Sequence, residues 1–133
     1  MTQRNIEIMN IIVDKMVRGK TLSEALKDVY TKRSVSIPYD DDMLTVSVRN
    51  LHMSSRTTNA LMRSHLVTLG EVVNLCNQQK ITDVKAMGVS GGTELFESIL
   101  NYLWGEMTED EQLNFLIDIV AKNSKHIRKE IEL

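Results

Sequence analysis

Three times along this chain a threonine standing before an apolar-periodic run is followed, three residues later, by glutamate: Thr21 with Glu24, Thr68 with Glu71 and Thr108 with Glu111. At that spacing the hydroxyl can accept from the third amide of a new helix while the carboxylate returns to the amide of the threonine, satisfying two otherwise orphaned donors. Each pair therefore predicts a helix start. Behind Thr21 the residues Leu22, Ala25, Leu26 and Val29 recur at helical spacing, and behind Thr108 so do Leu113, Leu116, Ile117 and Val120. A chain punctuated in this way is read as all-α.

Upstream, residues 4 to 18 place Ile8, Ile11, Ile12 and Met16 near one face of an amphipathic helix, with Gly19 as its stop. With the helix begun by Thr21 this makes an N-terminal helical hairpin over residues 1–33. Such a hairpin cannot bury both apolar faces alone, so it is expected to pack on the central stretch or on a second copy of itself as a homodimer. Residues 34–45 carry the single proline, Pro38, and the acidic run Asp40-Asp41-Asp42. The change from the basic Lys32-Arg33 to these acids predicts a linker.

The central stretch, residues 46–105, holds the densest set of signals. "SSRTTNALMRS" reads as a helix in which Arg56, Asn59 and Arg63, at i, i+3 and i+7, share a face that excludes Leu61. "TLGEVVNLC" follows as the helix begun by Thr68, and "TDVKAM" is a further short helical turn closed by Gly88. Beyond it, "SGGTELFESILNYLW" sets Leu95, Ile99, Leu100 and Leu103 on one stripe. Helix, glycine-bearing turn, helix is a helix-hairpin-helix plan, suited to bringing backbone amides up to a phosphate. Residues 106–133 are expected to form one C-terminal helix, with Lys122, Lys125, Arg128 and Lys129 gathered where a helix dipole favours cations.

Catalytic chemistry finds little support. His52, His65 and His126 are scattered, with no carboxylate at relay or ligand spacing. Cys76 beside Leu75 reads as a small buried apolar group, and Trp104 as core. "GVSGG" is not followed by the Gly-Lys-Ser/Thr of a phosphate-binding loop. No catalytic residue, metal ligand or cofactor is expected. The net charge of −2 and pI near 5.9 mean that any basic surface must be local. One cysteine, no apolar run approaching a membrane span and no signal-peptide plan make the cytoplasm the expected compartment.

Two segments carry a family resemblance: "LHMSSRTTNALMRSHLVTLGEVVNL" and "VKAMGVSGGTELFESIL". The stretch from about Leu44 to Leu103 resembles the C-terminal domain of the bacterial RNA polymerase alpha subunit, a compact helical domain containing a helix-hairpin-helix. The combination of an arginine and an asparagine on one helix face, with the hairpin glycine about thirty residues later, is what discriminates. The resemblance implies weak binding to A·T-rich duplex DNA. Arg56 would enter the minor groove, Asn59 and the amides at Gly88 would hold adjacent phosphates, and Ser90 and Gly91 would stand at the phosphate-contacting positions. Glu94 would match an acidic position on the last helix.

A narrow A·T groove does concentrate negative potential that attracts a guanidinium. The chain departs from the family where its hairpin lysine and serine become Ser90 and Gly91. Met62 replaces a lysine near the end of the first helix, leaving Arg63 as the neighbouring cation, and Asn50 and His52 replace carboxylates that meet the sigma factor. Loss of a phosphate cation weakens and flattens salt-dependent binding. The same resemblance implies the alternative of a protein-interaction module for RNA polymerase, the sigma factor or a regulator.

Overall fold

The computed structural model describes residues 1–31 and 35–131; the basic pair Lys32-Arg33, expected at the end of the N-terminal hairpin, lies outside them. Six α-helices lie among the described residues: α1 Gln3–Val17, α2 Leu22–Val29, α3 Ser55–Arg63, α4 Leu69–Asn77, α5 Gly88–Glu106 and α6 Glu109–Lys122. Short 3-10 turns cover Asp41–Thr45, Val48–Asn50 and Ile81–Asp83. The described residues are 66% helical and contain no strand, so the chain is all-α.

Local chemistry sets the helix starts. Thr21 and Thr108 form complete capping boxes with Glu24 and Glu111. At Thr68 only half of the box forms. Its hydroxyl oxygen accepts from Glu71 N at 3.3 Å, but the hydroxyl itself, rather than the backbone amide, meets the Glu71 carboxylate at 2.8 Å. Gly19, at φ +108°, makes the turn between α1 and α2, a conformation that costs a residue with a Cβ.

α1 packs on α2 and α6, and α2 packs on α5. Ile8 and Ile12 of α1, Leu26 and Val29 of α2, Leu95, Ile99 and Leu100 of α5 and Ile119 and Val120 of α6 belong to one buried cluster. The hairpin is thus built into the same core as the central stretch, while Val13 and Val17 stay exposed on α1.

The presumed linker is more than a tether. Val35 and Ile37 are buried, yet this extended segment has no strand beside it. Two carboxamides take that place. Asn77 of α4 accepts from Ile37 N at 2.7 Å and donates to Ile37 O at 2.9 Å. Asn123, fully buried after α6, accepts from Ser36 N at 2.8 Å and donates to Ser36 O at 3.0 Å and to Ile119 O at 2.7 Å. Buried backbone amides and carbonyls need partners, and these side chains supply them.

Two expectations are corrected. α6 ends at Lys122 instead of running to the C-terminus, because Asn123 is drawn into the core by Ser36. The chain beyond it folds back on α2: Thr31 N donates to His126 O, and Arg128 N to Val29 O, each at 2.8 Å. The Arg128 guanidinium donates to Lys27 O at 3.0 Å, so this cation serves the carboxyl end of α2 rather than that of α6. Gly88 does not close the preceding turn either. It opens α5, at φ +64°.

Candidate nucleic-acid interface

The exposed face of α3 and the start of α5 are brought together by a carboxylate. Ser54 caps α3, its Oγ accepting from Thr57 N at 3.3 Å. Glu94, on the second turn of α5, accepts from Ser54 N at 2.6 Å and from the Ser54 hydroxyl at 3.3 Å. Ser98, one turn further along α5, donates to His52 O at 3.1 Å. These contacts clamp residues 52–54 to α5 and so fix where α3 begins.

Arg56, Ser54 and Thr57 on one side, and Met87, Gly88, Ser90, Gly91 and Glu94 on the other, line an open cavity of about 260 Å³. Arg56 is exposed, as are Gly88 and Ser90, while Gly91 is half-buried. Among the described residues no side chain caps the amino end of α5, so its first amides keep the donors that every helix start leaves over. Met87 is right-handed and Gly88 left-handed, a pairing that turns successive amides toward one concavity. Ala86 is also left-handed, at φ +67°. Gly88 suits this backbone because a Cβ there would be strained.

The expected site residues divide in two. Arg56, Gly88, Ser90, Gly91 and Glu94 share the cavity; Asn59 and Arg63 do not reach it. Both are exposed on α3, one and two turns beyond Arg56, because the helix axis carries them away from the start of α5. Glu94 has a partner within the chain. Its carboxylate would repel a phosphate, and its hydrogen bonds to Ser54 make it the residue that positions α3.

Sequence reasoning missed Ser54 and Thr57, and also Lys85. That lysine is exposed on the turn leading into α5 and is the one cation between residues 81 and 105. Its isolation in an otherwise acidic stretch was the available signal.

Elsewhere the chemistry is spare. Cys76 is buried, and burial pushes its thiol up to about 12, far from a reactive thiolate. No group of three or more His, Cys, Asp or Glu among the described residues could hold a metal ion. No helix among them is long and apolar enough to cross a membrane. Trp104 is half-buried against the core, its carbonyl accepting from Gln112 Nε2 at 2.9 Å. Comparison with protein-family models, with curated proteins and with solved structures finds no match for the chain.

Proposed function

We propose that this chain is a transcription-associated DNA-binding module resembling the RNA polymerase alpha C-terminal domain, and that it grips the minor-groove edge of A·T-rich duplex. The observation that supports this reading is that Arg56 and the uncapped start of α5 line one open cavity. A helix start presents amides and a positive dipole end to a phosphate oxygen, and a guanidinium beside it suits the potential of a narrow groove. Lys85 adds a nearby cation. Glu94 and the negative net charge keep the affinity low.

Fluorescence anisotropy with A·T-rich and G·C-rich duplexes at two salt concentrations tests the proposal. Preference for A·T and a fall with salt are expected, the slope of log affinity against log salt being on the order of −2 for two phosphate contacts. Arg56→Ala should lower affinity roughly ten-fold, the scale of one hydrogen bond to a charged group, with an unchanged circular dichroism spectrum. Equal binding by wild type and variant would refute the reading.

A second reading draws on Glu94 in the cavity and on Ser90 at the family's lysine position. The same scaffold would then contact RNA polymerase, a sigma factor or a regulator without strong DNA binding. Pull-down from a nuclease-treated bacterial lysate separates the two, since recovery of no transcription protein counts against it.

A further inference from the structure

Charge is segregated in this fold. Residues 35–48 contain Asp40, Asp41 and Asp42, residues 105–121 contain Glu106, Glu109, Asp110, Glu111 and Asp118, and neither stretch has a lysine or arginine. The remaining residues hold all sixteen cations and only ten carboxylates. An overall charge of −2 therefore conceals a strongly acidic pair of segments on a chain that is otherwise basic.

Those two segments meet. Tyr39, Asp40 and Met43 from the first, with Met107, Glu111, Phe115 and Asp118 among others from the second, line an open cavity of about 270 Å³. Its lining is mixed, with Met43, Met107, Phe115 and Tyr39 supplying the apolar part. Met43 and Met107 are only half-covered, the Phe115 ring is buried, and Tyr39 stands 42% exposed at the edge. Its rim is anionic, and two of the rim carboxylates are fixed in place. Glu111 accepts from Thr108 N at 2.9 Å, and Asp40 accepts from Asp42 N at 3.1 Å. Hydrogen bonds from Thr108 also hold the Glu111 carboxyl below its ordinary value, so it stays charged. Asp118, exposed about one helical turn after Phe115, completes the rim.

Apolar side chains flanked by three carboxylates, Asp40, Glu111 and Asp118, select a ligand carrying the opposite pattern. A polyanion is repelled, and an uncharged apolar chain leaves the carboxylates unmatched. The groove also lies at the far end of α5 from Gly88. Nineteen residues of helix at a rise of 1.5 Å per residue separate the two regions by roughly 28 Å, enough for both to be occupied together.

We propose that this groove docks a basic segment of a partner protein. One large apolar side chain of that segment sits against Met43, Met107 and Phe115, and flanking lysines or arginines reach Asp40, Glu111 and Asp118. The methionines adapt to the shape of the anchor, as flexible thioethers do at peptide-binding surfaces. This assignment stands apart from the DNA reading, because it uses neither Arg56 nor the start of α5.

Anisotropy of a fluorescein-labelled amphipathic Lys/Leu peptide, titrated with the full chain, tests it. The expected result is saturable, salt-sensitive binding that a Glu/Leu peptide of the same pattern lacks. Asp118→Lys should weaken it about ten-fold, and Tyr39→Ser should weaken it at unchanged charge. Asp83→Lys, the same reversal near the opposite end of α5, should leave it unaltered, as should Arg56→Ala. Equal affinity in Asp118→Lys and wild type would overturn the proposal, as would equal weakening by Asp83→Lys, which would mean unlocalised charge attraction. Sedimentation at the same concentrations gives the remaining outcome: self-association abolished by Asp118→Lys would place a second copy in the groove and overturn the partner assignment.

Discussion

Replacing Asn123 by alanine tests the idea that carboxamides stand in for a missing strand. The substitution removes three hydrogen bonds, to Ser36 N, Ser36 O and Ile119 O, of 2.8, 3.0 and 2.7 Å. Ile119 O keeps the backbone donor Asn123 N at 3.1 Å, so only the two Ser36 groups are orphaned. Ser36 is half-buried, and water reaching it offsets part of the loss. At about 1 kcal/mol per bond, less what water recovers at Ser36, the expected destabilisation is about 2–3 kcal/mol, which lowers the melting temperature of a domain of this size by about 7–10 °C.

Urea unfolding followed by circular dichroism, at unchanged slope, reads the effect directly. Asn77→Ala, which removes two bonds to Ile37, should cost about 2 kcal/mol. Because both asparagines hold the same three-residue segment, the double variant should lose less than the two separate costs together. A loss below about 1 kcal/mol in Asn123→Ala would show that side-chain packing, and not these bonds, holds residues 35–37.

Tyr30 is buried, its hydroxyl has no hydrogen-bond partner among the described residues, and burial pushes the phenol up to about 12. Tyr30→Phe should therefore be neutral or up to about 1 kcal/mol stabilising; a clear loss of stability would reveal a partner for the hydroxyl. Gly70→Ala should destabilise by about 1–3 kcal/mol, since a Cβ there would lie 2.9 Å from the Leu44 Cα, where backbone has to move. An unaltered thermal midpoint would show that the Asp41–Thr45 turn can lift off α4 freely.

The carboxyls of Glu24 and Glu111 are held below their ordinary values, chiefly by the amides of Thr21 and Thr108, and Asp28 likewise by Lys20. A depressed native value means that the unfolded chain takes up protons first. These groups therefore contribute stability above their unfolded values and lose it as pH falls through the native ones. Glu24→Gln with Glu111→Gln keeps the capping geometry and should flatten the acid limb of a melting-temperature profile. An unchanged limb would assign it to other carboxylates.

What the sequence determined was local. The helix starts at Thr21 and Thr108 and the Gly19 turn were legible because each depends on atoms within about one turn of chain, where spacing alone fixes geometry. The exposed face of Arg56, Asn59 and Arg63 followed from helical period for the same reason.

Only the tertiary structure decided which of those three residues stands at the start of α5. It also turned Glu94 from a candidate contact into the clamp on Ser54, forty residues away in sequence. Likewise it ended α6 at Lys122 by drawing Asn123 to Ser36, a separation of 87 residues. Contacts of that range leave no period or spacing in the chain. They arise when a polar group is carried into a core and must take whichever partner the packing brings within reach.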